Sequence, residues 1–376
     1  MKGAEYMAEQ RICTMEDKPY LRALWQRCFG DSDSFMDFFF EKRFYPEYTV
    51  CTIEDDKLVN AMYSFPVNMR IRDVIVPSAM LAGFSTDPDY RGRGYMSDAF
   101  RLLIKNLAES GIAVGPHTPV KHDSYFKLGN YSATDTKFIS GTADKPKIMP
   151  VGVNFGRMSE SGKLYPVYMR FAEKYSGMLA RSLFDFRLKM LDLVSDGGEF
   201  ILVDRGGEVK GYALYFNGVE GLTAVETVYD DEETADALTE ALAFIADNKP
   251  IKIKLPPDCA AQLQGCETKI IPHGVAAPIN IAKLMRAVFK NETAVIKIND
   301  HICDINNGIF RLDGTAVDTD DYDIDISAGH FMQFIEGYKS LDELEKEEKA
   351  VIKNKTVAYE LDLRYPKCKC FICDEY

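Results

Sequence analysis

An apolar, strand-like run from Ala79 to Thr86 stops at Asp87-Pro88, and the chain continues Asp89-Tyr90-Arg91-Gly92-Arg93-Gly94-Tyr95-Met96. Beyond it Phe100, Leu103, Ile104, Leu107 and Ala108 recur at helical spacing. Proline has no backbone N–H and restricts the residue before it, so the strand ends there. The apolar stripe that follows makes one helix face that packs on a sheet. Between the two, Gly92 and Gly94 leave backbone N–H groups unshielded, Arg91 and Arg93 add positive charge, and a helix N-terminus follows. That order makes an anion cradle suited to a diphosphate. A glycine-rich loop alone is a weak signal, and an ordinary turn into an ordinary helix is the competing reading.

The chain has 376 residues, too many for one typical core, and two or three domains are expected. With 46% hydrophobic and 27% charged residues its composition is that of a globular protein. A formal net charge of −13 argues against nucleic acid or an anionic membrane as partner, and is compatible with cationic small molecules. Nine scattered cysteines do not read as a disulfide framework. Residues Met1 to Gln10 are polar, unlike a signal peptide, and no stretch approaches the ~18 apolar residues of a membrane span. A reduced, cytoplasmic protein is expected.

Helices are expected at Lys18 to Phe29 and around Ser34 to Phe44, then a hairpin, Tyr48 to Glu54 with Leu58 to Phe65, and a strand pair from Val67 to Thr86. Ile112 to Thr118 and Tyr131 to Ser140 read as strands. A similar order then recurs. A helical region at Tyr165 to Leu193 precedes a hairpin, Phe200 to Asp204 with Val209 to Leu214. Leu222 to Val228, Glu232 to Asp247 and Ile251 to Leu255 follow as strand, helix and strand. This reads as a second copy of one fold. Where the first copy has Arg-Gly-Arg-Gly, the second has Asp230-Asp231-Glu232-Glu233, which satisfies a helix dipole itself and would repel a diphosphate. A third unit begins near Pro278. It is expected to hold a helix (Ile279 to Phe289), strands at Thr293 to Ile298, Ile302 to Asn306, Gly308 to Asp313 and Tyr322 to Ile326, and helices at Ala328 to Gly337 and Leu341 to Ala350. Asn306-Asn307-Gly308 is a hairpin turn signal. The closing residues from Pro366 have no helical period.

The strand, Asp-Pro, Tyr-Arg-Gly-x-Gly, helix order resembles the acetyl-CoA loop of the GCN5-related N-acetyltransferases (GNAT), usually written Arg/Gln-x-x-Gly-x-Gly/Ala, with Met96 where the pattern wants Gly or Ala. Together with Ser124-Tyr125-Phe126-Lys127-Leu128-Gly129-Asn130-Tyr131, it looks like the Eis type (enhanced intracellular survival), which often carries a larger apolar residue at that position. The resemblance implies an α+β / α/β chain: two GNAT folds in tandem, the second degenerate, and a sterol-carrier-protein-like domain. The divisions are 1–147, 148–275 and 276–376, with the C-terminal tail entering the active site. It implies acetyl-CoA as cosubstrate, no metal, a cationic amine acceptor such as an aminoglycoside or a lysine side chain, and a homo-oligomer, a hexamer in this family.

Acetyl transfer from a thioester to an amine needs the cofactor held, the carbonyl polarised, the ammonium deprotonated and the leaving thiolate protonated. The loop Arg91, Gly92, Arg93, Gly94, Tyr95, Met96 and Ser97 meets the first need. Backbone N–H groups of Phe84, Ser85 and Thr86, freed by the Asp-Pro break, are candidates for the second. Tyr125 is one of twenty tyrosines on composition alone; the resemblance makes it the acid, and sets Val120 and Lys121 along the cofactor. The resemblance also makes the α-carboxylate of Tyr376 the base, useful only if desolvated and paired with the cationic amine; a frayed acidic tail is the plain alternative. Trp25, Phe35 and Glu375 are candidates for the acceptor pocket, although the Phe35, Phe38, Phe39, Phe40 cluster reads mainly as core, and Asp374 adds negative potential. Cys368, Cys370 and Cys373 lack an obvious fourth zinc ligand; His117 reads as structural and His122 as a reserve base. The expected activity is N-acetyl transfer to a primary amine; a longer acyl group is not excluded. The alternative is a non-catalytic protein that binds acyl-CoA or an apolar ligand in the sterol-carrier-like part.

Overall fold

The computed structural model describes residues 8–119, 121–290 and 292–375. The first unit runs β1 (Glu9–Ile12), α1 (Lys18–Phe29), α2 (Asp33–Lys42), β2 (Val50–Glu54), β3 (Lys57–Ile71), β4 (Val74–Thr86), α3 (Tyr95–Glu109), β5 (Val114–His117), α4 (Asp123–Phe126) and β6 (Ser132–Thr142). The second contains β7 (Val153–Phe155), α5 (Ser161–Ala172), α6 (Leu183–Ser195), β8 (Glu199–Arg205), β9 (Glu208–Asn217), β10 (Leu222–Tyr229), α7 (Glu232–Ala246), β11 (Pro250–Leu255) and β12 (Cys266–Pro278). The third has α8 (Ile281–Val288), β13 (Val295–Asn299), β14 (Gly308–Arg311), β15 (Ile324–Ser327), α9 (Ala328–Glu336), α10 (Leu341–Lys346), β16 (Ala350–Ile352) and α11 (Lys355–Arg364).

The first two units share one sheet, in the order β1-β2-β3-β4-β5-β12-β6-β11-β10-β9-β8-β7. Each unit gives its last strand to the other. β12 pairs with β5 of the first unit, Val275 opposite His117 and Pro278 opposite Val114. β6 pairs with β11 of the second, Pro250 opposite Thr142 and Leu255 opposite Lys137. The two exchanged strands pair with each other in the middle. The chain divisions at 147 and 275 are therefore not divisions of the sheet.

The helices cover the sheet as their periodicity requires. Ala99, Phe100, Leu103, Ile104 and Leu107 of α3 are buried, and on the other face Trp25, Phe39, Phe40 and Tyr63 fill the core under α1 and α2. The third unit has its own four-stranded sheet, β14-β13-β15-β16. Its interior is filled by Phe289, Phe331 and Phe334, and Phe289 stacks on Phe334 at 5.8 Å. It is stapled to the first unit by Arg72 at the β3–β4 turn, whose guanidinium donates to the carbonyls of Phe334, Ile335, Tyr365 and Pro366. The stretch Ile302 to Asn306 is not a strand. Asp300 gathers it into a tight turn, accepting from the Ile302 and Cys303 N–H groups and from Asn306 Nδ2. Among the described residues no helix is long and apolar enough to cross a membrane.

Candidate active site

The Asp-Pro break is held rigidly. Asp87 is buried, accepts the Asp89 N–H at 3.0 Å, and pairs with Lys57 at 3.0 Å and Arg27 at 3.3 Å. Burial works against its ionisation, but the Asp89 N–H and Lys57 outweigh it and hold the carboxyl below its usual range. From this fixed point the loop turns through Gly92 (φ +82°) and Gly94 (φ +86°), left-handed conformations natural to glycine. Open space surrounds both Cα atoms where a side chain would stand. Gly94 begins α3, and no side chain caps that helix. Its N-terminal N–H groups therefore face outward, with helix dipole and arginines behind them. Arg91 donates its Nε to Thr86 O at 3.1 Å, tying loop to strand, and Arg93 reaches Glu54 at 2.8 Å. Tyr95 is half-buried and Ser97 exposed, its N–H bonded back to Gly94 O. Met96 turns inward beside Phe84 and Tyr125 onto the Phe100 core, so its bulk does not enter the cradle.

The counterpart in the second unit is filled. Asp231 caps α7, accepting from Thr234 N–H and Oγ1. Asp230 pairs with Arg170, Glu233 with Arg205, and Glu232 accepts the Ala260 N–H. Each of the four carboxylates already has a partner.

Beside the open cradle the sheet splits. β4 and β5 pair in parallel only at Ser78 and Val114 and then diverge. A β-bulge bends β4 at this point: Tyr63 pairs with Ala82 but Ala61 with Ser85, so Gly83 and Phe84 stand against Met62 alone. Gly83 has φ +57°, and a Cβ there would lie 2.1 Å from the Trp25 ring. Asp87 N–H donates to Val59 O on β3. By the two-residue alternation of an antiparallel ladder, the Ser85 N–H also turns to β3 and the Thr86 N–H to the cleft side. The break thus frees Thr86 but not Ser85.

The cleft between the splayed strands is lined by Gly83 and Phe84 on one side, His117, Thr118 and Pro119 on the other, and Tyr125 at its end. The His117 and Tyr125 rings lie 4.8 Å apart, and Phe84 stands 5.9 Å from Tyr125. Burial pushes the Tyr125 phenol up to about 12 and the buried His117 imidazole down to about 4. His117 Nδ1 lies 3.2 Å from Gly115 O, which as a carbonyl can only accept, so Nδ1 carries the proton and Nε2 a lone pair. That Nε2 and the neighbouring Thr118 Oγ1 are buried without a partner among the described residues. Two orphaned polar atoms in a cleft that opens beside an uncapped helix N-terminus fit an elongated ligand with a phosphate end and an amide-bearing arm. Lys121 is exposed at the rim; Val120 and Tyr376 lie outside the described residues. His122 is no free base: its Nε2 lies 3.0 Å from His273 O, tying the Tyr125 helix to β12.

The tail returns to this face. Ser176 N–H donates to Lys369 O, Phe371 N–H donates to Ser176 O, and Phe371 and Cys373 enter the core of the second unit. Glu375 accepts from Lys254 at 2.6 Å and lies 3.4 Å from His273 Nε2. It opens onto a cleft enclosing about 720 Å³, walled by Phe35 of α2, by Asp192, Leu193 and Asp196 of α6, and by Phe216. Asp192 is nearly buried, and burial raises its carboxyl above the usual range. Ser34 donates to Asp196 at 3.0 Å, so the cleft spans first and second units. Trp25 does not line it. Its ring is buried against Phe39 and Tyr63, with Nε1 donating to Asp31 at 2.8 Å, because the bulge at Gly83 leaves room only beneath the strand. The tail cysteines do not converge: Cys370 turns to Glu336 O, Cys373 to Glu226 and Cys368 to Arg72.

Sequence reasoning passed over Asp192 and Arg181. Asp192 had a signal, a carboxylate beside Met190 and Leu193 on the apolar side of α6. Arg181 had none, being a lone cation in a loop.

Splayed parallel strands, a β4 bulge and an uncapped Arg-Gly-x-Gly helix start define a GNAT acetyltransferase fold. Residues 9–133 match the family model for the acetyltransferase (GNAT) domain, and residues 281–363 that for the sterol carrier protein domain. The chain is thus an N-acetyltransferase of GNAT type with a sterol-carrier domain, in the three-part Eis arrangement. Solved structures repeat it over nearly the whole length. A protein of unknown function from Enterococcus faecalis V583, described as a probable N-acyltransferase, has a TM-score of 0.81 at 17% identity and covers 98% of this chain and 100% of its own. A GCN5-related N-acetyltransferase from Anabaena variabilis gives 0.79 at 14%, and Eis1 from Mycobacterium abscessus 0.74 at 14%, each covering 98% and 100%. No curated protein sequence matches.

Proposed function

We propose that this chain transfers an acetyl group from acetyl-CoA to a primary amine of a small cationic acceptor. The observation that carries the reading is the cleft itself: an uncapped, open α3 N-terminus beside splayed strands that hold two orphaned polar atoms and end at a protonated phenol. The α3 N–H groups, with Arg91 and Arg93 near, hold the diphosphate. The Phe84 to Thr86 edge, chiefly the Thr86 N–H, and the His117–Thr118 edge take the arm and carbonyl between them. Val120 and Lys121 follow along the rim.

The amine nitrogen bonds to the thioester carbonyl carbon and the C–S bond breaks. Tyr125, kept neutral by burial, gives its phenolic proton to the departing sulfur. The ammonium proton passes to the α-carboxylate of Tyr376, one residue beyond Glu375. Glu375 lies against His273, whose carbonyl binds the His122 of the Tyr125 helix, so the described tail ends beside the acid. The acceptor enters from the cleft of Phe35, Asp192, Asp196 and Glu375, whose three carboxylates and aromatic wall suit a cationic amine. The volume is within the range of small-molecule sites.

An apolar-ligand carrier in the third unit finds less support, since stacked phenylalanines occupy its centre. That unit instead buttresses the acid: His301 Nε2 donates to Lys127 O at 2.9 Å, just past α4. The test is an acetyl-CoA-dependent screen of kanamycin A, spermidine and a lysine peptide, read by thiol release, on protein with its native C-terminus. Calorimetry showing no acetyl-CoA binding sinks the reading.

A further inference from the structure

We propose that Arg181, a residue of the second unit, is the positioning residue of the acceptor side: it clamps Asp374 and so sets the tail with Glu375 in the acceptor cleft. The inference rests on the acceptor reading above, and it assigns a task to a unit whose own anion loop is filled.

Arg181 is buried, 5% exposed, between two carboxylates that are buried more deeply still. Its guanidinium meets Glu226 of β10 in a two-pronged pair at 3.0 and 2.6 Å, and Nη2 also donates to Asp374 at 2.8 Å. The Tyr168 ring lies under it, 4.3 Å from Cζ, and the Tyr212 hydroxyl donates to Glu226 at 2.6 Å. One cation therefore serves two carboxylates, one from the sheet and one from the tail. Lys254 adds a second hold from β11, donating to Cys373 O and to Glu375. A buried ionic cluster pays heavy desolvation, and apolar side chains of the same volume often stabilise as well or better. What the cluster supplies is geometry, because a planar guanidinium fixes a carboxylate in distance and orientation. Glu226 holds Arg181 against the sheet, Arg181 holds Asp374, and the next residue, Glu375, stands in the cleft with Phe35 and Asp192.

The test uses the full chain with its native C-terminus. Asp374→Asn keeps the tail's shape, removes its charge and leaves the Arg181–Glu226 pair intact. Trimming by carboxypeptidase Y is followed by mass spectrometry, alongside kcat and KM for whichever amine the screen finds accepted. Trimming is expected to accelerate about tenfold or more, and kcat/KM for the amine to fall on the order of 10–100-fold, the effect of misplacing a reacting group by about 1 Å. The KM for acetyl-CoA and the melting temperature stay near wild type, and Asp374→Glu restores part of both losses. Should Asp374→Asn lower the melting temperature, Arg181→Lys keeps the charge without the fork and is expected to show the same accelerated trimming. Trimming as slow as wild type in both variants, or fast trimming with unchanged turnover, overturns the clamp. Deleting Tyr376 alone separates the two ideas: unchanged turnover there removes the terminal base but leaves the clamp to be judged on Asp374→Asn.

Discussion

Tyr125 and His117 face each other across the β4–β5 cleft with their ring centroids 4.8 Å apart, a neutral phenol beside a neutral imidazole whose outer nitrogen carries a lone pair. Burial makes both neutral. The site thus holds a proton donor and an acceptor with no formal charge at its apolar end.

Tyr125→Phe removes only the phenolic proton and is expected to lower kcat on the order of 10²–10⁴-fold. Because ring packing on Phe84 and His117 is kept, acetyl-CoA affinity should stay near wild type by calorimetry. A parallel loss of affinity would place Tyr125 in binding rather than proton transfer.

Gly94→Ala adds a methyl group in open space but in a left-handed conformation, at a cost of about 1 kcal/mol to the fold. It also shields the first N–H groups of α3. Acetyl-CoA should bind on the order of tenfold more weakly with a modest change in melting temperature. Undiminished binding would remove the cradle from the cofactor site.

Asp192→Asn and Asp196→Asn should raise KM for a polycationic acceptor, with kcat and the KM for acetyl-CoA little changed. The effect should shrink in high salt, since partly exposed charges act over about a Debye length. Steady-state kinetics at two ionic strengths decides it.

Two opposed pH effects on stability follow from buried groups. His117 and His273 are both pushed down to about 4, chiefly by burial, so between pH 6.5 and 4 the unfolded chain binds protons that the folded chain refuses. Their contribution is complete above pH 6.5 and is lost as pH falls through about 4. Glu336 is the reverse case. It is fully buried with both carboxyl oxygens unpartnered among the described residues, and burial raises it to about 8. The folded chain keeps its proton while the unfolded chain ionises above pH 4.5, so stability is lost as pH rises from 4.5 through 8. Glu336→Gln should stabilise the protein at pH 7 by up to on the order of 3 kcal/mol and flatten the alkaline side of the melting-temperature profile. A variant no more stable than wild type would contradict a neutral Glu336.

What the sequence disclosed was what local chemistry determines. The Asp87-Pro88 break, the glycines at 92 and 94, the stripe on α3, both hairpins and the filled acidic loop at Asp230 to Glu233 all depend on neighbours within a few residues. The third unit's helices emerged for the same reason. The strand β1, the helix α11 and most of β12 did not. β12 in particular has exposed residues from Glu267 to Pro272 and no alternation to betray it; its place is set by β6, more than a hundred residues earlier. Trp25 was a pocket candidate because aromatic residues serve both core and cleft, and only the bulge at Gly83 decides between them. The roles of Arg181 and Asp192 depend on contacts with the tail and the opposite unit, which no spacing encodes.

The exchange of β6 and β12 has a consequence in time. His117 leaves the ribosome roughly 160 residues before Val275, the partner that completes its edge of the sheet. At cellular synthesis rates that is an interval of roughly 8–30 s. Throughout it the acetyltransferase half waits with an open edge on β5, and the α4 helix lacks the His273 carbonyl that anchors it. A nascent chain of this kind cannot finish its first unit first. Its two halves mature together, late, and the growing polypeptide needs shelter for that edge until the partner strand arrives.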